Sequence, residues 1–334
     1  MSVLLQISDT HFGTEVPQVV EALAALAIQQ RPNLVVLSGD ITQRATRAQF
    51  AAARAFLSRL QVPRTLVIPG NHDIPLFALA ARLFNPYGRY REAFGADLEP
   101  VLDAPVCLLL ALNTTRWWRH ECGHISESQM AEVAQRLRAA SPGQLRVVAL
   151  HQPLAVKPGD KGRPSPDAKQ VVQGAQAAIA HWSAAGCDVV LGGHIHLPYA
   201  LHVAAARPFW VVQAGTATSR RTRAGVPNSF GELVWRSPTA GGARECLWHQ
   251  WDFEAERQEF VLAKRGVLSP STIRDYKSMS RNRFAAQMKK PVREITNWQS
   301  IVSAEAKSVK PKTLKNAWMM VAAALKFGGY DVPK

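Results

Sequence analysis

Residues of the types that bind transition metals recur at five points along the chain, each directly after a short apolar run. The five groups contain Asp9 and His11, then Asp40, then Asn71 with His72 and Asp73, then His151, and finally His194 and His196. Carboxylate, imidazole and amide oxygen together suit Mn, Fe or Zn, and one carboxylate can bridge two such ions. Two ions about 3.5 to 4 Å apart lower the pKa of a bridging water and clamp the oxygens of a phosphoester. These residue types therefore predict a dinuclear centre that hydrolyses a phosphoester with a bridging hydroxide.

Each group is weak evidence when it is taken alone. A single histidine is more often a surface or core residue, and a Gly-Asp or Gly-Asn pair is an ordinary turn. Five such groups at the ends of five of the first six predicted strands argue against coincidence. Glycines beside Asp40, Asn71 and His194 also allow the backbone to turn sharply or to approach closely there.

The elements that must position these residues follow an alternating pattern of strand and helix. Strands are predicted at 3–8, 34–38, 65–68, 106–113, 146–150 and 188–191, and then at 209–213, 232–235, 246–253 and 258–262. Helices are predicted at 17–30, 45–60, 126–139 and 168–184. In α/β sheets ligands bind beyond the carboxyl ends of the strands, which is where the metal-type residues lie.

The composition is that of an ordinary globular chain of 334 residues, 47% of them hydrophobic. No apolar run approaches the roughly 20 residues needed to cross a bilayer, and the start of the sequence shows no targeting pattern. The four cysteines stand far apart, which argues against a zinc ribbon or a disulfide framework and suits a reducing compartment. We therefore expect a cytoplasmic protein without a membrane span, and the oligomeric state stays open.

Positive charge is concentrated towards the end of the chain. Residues 1–265 carry 27 Lys and Arg against 21 acids, whereas residues 266–334 carry 13 against 4. This change predicts a body at 1–262, a linker at 263–270 and a small all-α domain at 271–334 with helices near 270–287, 298–307 and 311–327. Charge alone leaves two interpretations of this tail open, a solvated helical face and a surface for anions such as DNA.

The order D-x-H, G-D, G-N-H-D, H and G-H-x-H resembles the calcineurin-like metallophosphoesterase superfamily over about residues 1–262. The resemblance implies a four-layer α/β/β/α sandwich. It implies that one metal ion is bound by Asp9, His11 and His196, that the other is bound by Asn71, His151 and His194, and that Asp40 bridges both. It also implies that His72 acts as a general acid over the leaving oxygen and that Asp73 holds His72 in orientation.

The segments I-S-D-T-H, L-S-G-D-I-T and P-G-N-H-D are most similar to the bacterial branch that includes cyclic nucleotide phosphodiesterases. This resemblance implies a phosphodiester substrate, with a 3′,5′-cyclic nucleotide as one candidate. Guanidinium groups suit phosphate, so the loop with Arg220, Arg221 and Arg223 is predicted to bind the substrate. The alternative for this loop is an exposed basic segment without a role in binding.

The tail segments L-S-P-S-T-I-R-D-Y-K-S-M and P-K-T-L-K-N-A-W resemble the SAM-like core-binding domain of phage-type tyrosine recombinases. The resemblance implies weak DNA binding through residues 271–334, mainly by backbone contacts. No histidine is followed three positions later by Arg, so Tyr330 is not expected to act as a recombinase nucleophile. Two alternatives stay open. One is a DNA-binding or fusion protein whose phosphoesterase acts on nucleic acid, phospholipid or a phosphomonoester. The other is a metal site kept for binding without turnover.

Overall fold

The computed structural model describes residues 2–119, 121–159, 163–223, 225–235 and 246–268, and two six-stranded sheets run through them. The strands are β1 Ser2–Ile7, β2 Leu34–Ser38, β3 Thr65–Ile68, β4 Val101–Ala104, β5 Cys107–Ala111, β6 Leu145–Ala149, β7 Val189–Gly192, β8 Tyr199–Val203, β9 Phe209–Gln213, β10 Ser229–Trp235, β11 Cys246–Glu254 and β12 Glu259–Val267. The helices are α1 Pro17–Gln30, α2 Arg47–Arg59, α3 Leu79–Phe84, α4 Gly88–Phe94, α5 Glu127–Ala139 and α6 Ala175–Ala184.

The first sheet has the order β12-β11-β10-β1-β2-β3 and the second has the order β4-β5-β6-β7-β9-β8. Strands β1, β2 and β3 are parallel, as are β5, β6, β7 and β9. Other elements pack on both faces of a parallel sheet, so its strands have nearly continuous apolar sequences, such as LVVLS in β2 and VVLG in β7. The parallel strands of each sheet thus end at a common edge, where the predicted metal residues follow them.

Helices pack on the outer face of each sheet, and a third apolar core joins the two sheets. Leu23 of α1 and Phe50 of α2 lie against the first sheet. Trp182 of α6 lies with α5 against the second sheet. Leu4 and Val147 belong to the core between the sheets. The described residues therefore agree with the α/β/β/α sandwich that the sequence leads us to expect.

Two predicted helices begin later than expected, and a local feature explains each case. The Thr46 side chain accepts a hydrogen bond from the Gln49 amide, and Ala45 has a φ of 50°, so α2 begins at Arg47 rather than at residue 45. Gly174 has a φ of 89°, so α6 begins at Ala175 rather than at residue 168. The preceding residues Ala168–Gln170 form a separate 3₁₀ turn.

The strand pattern also differs from expectation at the sheet edges. Edge strands β4 and β8 were not predicted, because their mixed sequences VLDA and YALHV show no clear two-residue alternation. Strand β12 continues to Val267, which pairs with Leu247. The predicted boundary at 262 and the linker at 263–270 therefore cut into a strand of the first sheet. Charged Lys264 and Arg265 made this end look like a loop, although they belong to an edge strand whose side chains reach solvent.

The predicted helical, integrase-like domain at 271–334 lies outside the described residues. Among the helices that are described, none is long and apolar enough to span a membrane.

Candidate metal centre

Loops from both sheets bring the seven predicted metal ligands together. Backbone hydrogen bonds join the loops that follow β1 and β2, from Asp9 N to Gly39 O at 3.1 Å and from His11 N to Asp40 O at 2.9 Å. Another joins the loops that follow β7 and β6, from Gly193 N to His151 O at 2.8 Å. The convergence follows from the common edge at which the parallel strands end.

One cluster contains Asp9, His11, Asp40 and His196, whose ligand atoms all lie within 4.8 Å of one another. The Nε2 atom of His196 is 3.1 Å from Asp9 Oδ1 and 3.3 Å from His11 Nε2. The Nε2 atom of His11 is 3.7 Å from Asp40 Oδ2. Asp9, His11 and Asp40 are buried and the side chain of His196 is 11% exposed, so the donor atoms face one another more than they face water.

A second cluster contains Asp40, His151 and His194, again within 4.8 Å. The Nε2 atom of His151 lies 3.3 Å from Asp40 Oδ1 and 3.2 Å from Asn71 Oδ1. The two oxygens of Asp40 thus face different clusters, Oδ2 towards His11 and Oδ1 towards His151. This is the arrangement expected of a carboxylate that bridges two ions.

Two buried atoms in these clusters have no hydrogen-bond partner, Asp9 Oδ1 and His194 Nδ1. His196 Nε2 lies near Asp9 Oδ1, yet no hydrogen bond forms between them. Leaving a buried polar atom without a partner costs about 1–3 kcal/mol, so such atoms are rare unless something else binds them. One unpartnered atom belongs to each cluster, so the donor set fits two metal ions.

Burial also sets the charge state of two imidazoles. It lowers the pKa of His11 to about 3 and that of His194 to about 4. Both rings are therefore neutral near pH 7, which is the form that binds a metal. Burial alone would lower the pKa of His151 as well, but the adjacent Asp40 carboxylate raises it to about 9.

The backbone at five of the seven ligands is in the left-handed region. The φ values are 54° at Asp9, 42° at His11, 46° at Asp40, 73° at His194 and 59° at His196. Each costs of order 1–2 kcal/mol for a residue with a side chain, and such strain gathers at functional sites. Gly70 and Gly193 permit the close packing, because a Cβ atom at either position would overlap Asp40 or Asp9.

In three of the ligand histidines, the ring nitrogen that is not the proposed metal ligand has a hydrogen-bond partner. His151 Nδ1 is 2.8 Å from Ser38 O, His194 Nε2 is 3.0 Å from Gln170 Oε1, and His196 Nδ1 contacts Arg221 O. Such contacts set the tautomer and leave the opposite nitrogen for the metal. Gln170 was not singled out in the sequence, because it lies in a loop without a metal-type motif.

His72 lies beside the clusters and is not a member of either. Its amide donates to Asp40 Oδ1 at 2.9 Å. Its ring places Nδ1 3.1 Å from Gln43 O and Nε2 2.9 Å from Arg221 Nη1. The ring also lines an open cleft beside Asp40 and Asn71. This position suits a group that acts on a substrate without binding metal, as predicted for His72.

The sequence matches the calcineurin-like phosphoesterase family over residues 2–198, which is more than half of the chain. The chain belongs to this family. Curated proteins searched by sequence give no match.

Solved structures with this phosphoesterase fold include two phosphatases. A purple acid phosphatase from seeds of yellow lupin (Lupinus luteus) has a TM-score of 0.56 at 12% identity, over 80% of this chain and 53% of that one. A dimetal phosphatase from Danio rerio has a TM-score of 0.57 at 13% identity, over 81% of this chain and 99% of that one. The chain spans about half the length of the purple acid phosphatase. At these identities the likeness shows the fold alone.

Asp73 has hydrogen-bond partners that the family resemblance does not predict. Its carboxylate accepts hydrogen bonds from Gly70 N, Ile41 N, Thr42 N and Thr42 Oγ1, at 2.8 to 3.1 Å. These bonds join the loop after β2 to the G-N-H-D turn of the phosphoesterase. Asp73 thus holds two ligand-bearing loops together, whereas Gln43 O and Arg221 contact the ring of His72. The role of Asp73 in orienting that ring stays a prediction, beside the role in the backbone of the loops that these hydrogen bonds show.

The cleft of the phosphoesterase has a volume of about 420 Å³. Its lining residues are Asp40, Asn71, His72, Glu121, Asp167, Gln170, His194, Ile195, His196, Arg221 and Arg223. Of the three predicted arginines, Arg221 and Arg223 reach it, and Arg223 Nη1 is ion-paired with Asp167 Oδ1 at 2.8 Å. Arg220 is exposed and is not part of the lining. The acidic lining residues Glu121 and Asp167 were not found from sequence, because they come from loops without a recognisable motif.

Proposed function

We propose that this phosphoesterase hydrolyses a phosphodiester with two transition-metal ions, Mn, Fe or Zn. The observation that carries the proposal is the position of Asp40, whose two oxygens face two separate groups of buried ligand atoms. A single-metal site would not need a carboxylate that belongs to both groups.

The chain's own residues divide into two ligand sets around this carboxylate. Asp9, His11 and His196 would hold one ion; Asn71, His151 and His194 would hold the other; and Asp40 would touch both. When bound, two such ions supply a water nucleophile at neutral pH and neutralise charge on the phosphoryl oxygens.

His72 and Arg221 would act on the ester itself. Both side chains line the cleft next to Asp40. The guanidinium suits a phosphoryl oxygen, which would free His72 Nε2 from its present contact with Arg221. His72, protonated at Nε2, would then donate that proton to the leaving oxygen. The hydrogen bond from its backbone N–H to Asp40 Oδ1 would keep the backbone in place during this step.

The charge of the cleft supports a singly charged ester. Among the described lining residues outside the ligand sets, Arg223 is paired with Asp167, which leaves Arg221 as the cation without a carboxylate partner. Glu121 adds a negative charge to the same lining. A phosphomonoester carries close to two negative charges at pH 7 and a phosphodiester carries one. Apart from the charge that two metal ions would supply equally to both esters, the single free cation among these described side chains suits the diester better. A 3′,5′-cyclic nucleotide is the candidate that the sequence resemblance favours.

The test combines metal analysis with a panel of esters. Protein loaded with Mn is given cyclic nucleotides, an aryl phosphodiester, an aryl phosphomonoester, phospholipid headgroup diesters and DNA. We expect kcat/KM for a diester to exceed that for the monoester by about 10-fold or more, and Asp40→Ala to remove both metal and activity. Asp97→Ala, which changes an exposed carboxylate, serves as the control. Full activity without bound metal, or a preference for the monoester, would overturn the proposal.

A further inference from the structure

An unusually exposed group of apolar side chains follows the G-N-H-D turn. Helix α3 contains no buried residue, although its sequence LAARLF is mostly apolar. Five large apolar residues of this segment and of a neighbouring loop are exposed, and they form what we call the rim patch: Phe77, Leu79, Leu83, Phe84 and Trp118. Phe84 is 87% exposed and Phe77 is 76% exposed. Apolar side chains this exposed bury little surface and so add little to the stability of the fold. An exposed apolar group of this size indicates an interaction surface.

Hydrogen bonds hold the two parts of the rim patch next to each other. Arg82 Nη1 donates to Pro75 O at 3.3 Å, and its Nη2 donates to Arg119 O at 3.5 Å. The hydroxyl of Tyr87 donates to Thr115 O at 3.1 Å. The segment that carries α3 is therefore fixed against the loop that carries Trp118.

The rim patch adjoins the cleft. Arg44 lies over the ring of Phe77, 5.1 Å from its centroid. Arg44 directly follows Gln43, whose carbonyl oxygen contacts the ring of His72. On the other side, Glu121 of the cleft lining lies three residues after Trp118. A partner that covers the rim patch would therefore lie across the mouth of the cleft.

The charges around the rim patch are positive. Arg44, Arg82 and Arg119 accompany it, and no carboxylate of the described residues forms an ion pair with any of them. Phe, Leu and Trp side chains flanked by arginine make up the surfaces that enter the boundary between headgroups and acyl chains of anionic bilayers. Protein interfaces instead seat their aromatic anchors in packed pockets. Side chains that project as far as Phe77 and Phe84 fit a fluid partner better.

We propose that the rim patch docks on the surface of an anionic lipid bilayer. The apolar side chains enter the headgroup region, and Arg44 and Arg119 contact lipid phosphates while Arg82 keeps its bonds to Pro75 O and Arg119 O. The docking does not depend on the function proposed above. A consequence does rest on that function, namely that docking brings the cleft to the phosphodiester headgroups of the bilayer.

Vesicle flotation of the full chain tests this docking in EDTA, so that no hydrolysis is needed. The vesicles contain phosphatidylcholine alone or with roughly 30% phosphatidylglycerol. We expect binding to the anionic vesicles only, and a loss of about 10-fold or more in the partition coefficient for the double variant Phe77→Ser, Phe84→Ser. Ile28→Ser is the matched control, because Ile28 is an exposed apolar residue on α1, away from the rim patch. It should bind like the unchanged protein, and thermal melting checks that all variants fold.

The basic tail is present in every variant, so it cannot account for a difference between them. Equal binding by the double variant would assign the lipid affinity to other residues and overturn the proposal. Failure of the unchanged protein to bind would overturn it as well. A change in oligomeric state in the double variant, measured by light scattering without lipid, would show that a second copy covers the rim patch. Each of these results leaves the metal-dependent hydrolysis to be judged separately from its own ester panel.

Discussion

The replacement Asp73→Ala separates the two roles that sequence and structure suggest for this carboxylate. The family resemblance makes it the partner of the His72 ring. The structure shows it accepting from three backbone amides, those of Ile41, Thr42 and Gly70, and from the Thr42 hydroxyl. Asp73 is 1% exposed, so these donors lose their acceptor in a place that water reaches poorly.

The magnitude follows from the number of donors left without a partner. A buried donor without an acceptor costs about 1–3 kcal/mol, so three amides amount to roughly 3–9 kcal/mol before any relaxation. Water entering the vacated space offsets part of this, and so does the loss of a buried charge, because burial and the Asp40 carboxylate raise the pKa of Asp73 to about 7. Single substitutions seldom exceed about 4–5 kcal/mol. We therefore expect the free energy of unfolding to fall by about 3–5 kcal/mol.

Urea unfolding followed by tryptophan fluorescence measures this change, in EDTA so that metal binding does not contribute. Asp97→Ala is the matched control, because Asp97 is exposed and accepts from Glu99 N at the surface. Its effect should stay within about 1 kcal/mol. If Asp73→Ala also costs less than about 1 kcal/mol and lowers kcat with unchanged metal content, the reasoning fails and Asp73 serves the chemistry of His72.

Two substitutions and two truncations test the cleft and the boundary of the body. His72→Ala should keep both metal ions, measured by elemental analysis, and lower kcat by roughly 10²- to 10⁴-fold; loss of metal would contradict its assignment outside the ligand sets. Arg221→Ala should raise KM for a diester by roughly 10- to 100-fold, since a charged hydrogen bond is lost, whereas Arg220→Ala at the exposed neighbour should not; equal effects would argue against a binding role. Truncation after Pro270 should leave hydrolysis intact and remove any DNA affinity, measured by fluorescence anisotropy. Truncation after Arg265 should lower the melting temperature, because it removes the end of β12; equal stability of the two truncations would place that strand end outside the fold.

The central strands could be predicted because burial on both faces leaves a simple signature. β2 and β9 lie where the sequence predicts them, as apolar runs inside their sheets that end in turns, and the short edge strand β3 also matches its predicted bounds. The edge strands β4 and β8 lack both a continuous apolar run and a clear two-residue alternation, so the sequence does not predict them. Helix α3 was also missed, since it buries no residue and so shows no helical spacing of apolar positions.

The ligand residues could be predicted for a related reason. Strand ends of one sheet edge must meet, so polar residues that follow parallel strands are brought together by topology alone. The contacts around the ligands do not follow from that rule. Gln170 reaches His194 from a loop whose path depends on the whole fold, and three backbone amides compete for the oxygens of Asp73. Local sequence does not encode that competition.

The candidate centre also joins the two sheets. Asp9, Asp40 and Asn71 follow strands of the first sheet, whereas His151, His194 and His196 follow strands of the second. Each proposed metal ion takes ligands from loops of both sheets. Its binding would therefore add bonds between the two sheets, which the apolar core between them already holds together. The left-handed backbone at five ligands is unfavourable without such bonds. The strain and the unpartnered atoms therefore have one explanation: the fold holds the loops in a geometry that a metal ion completes.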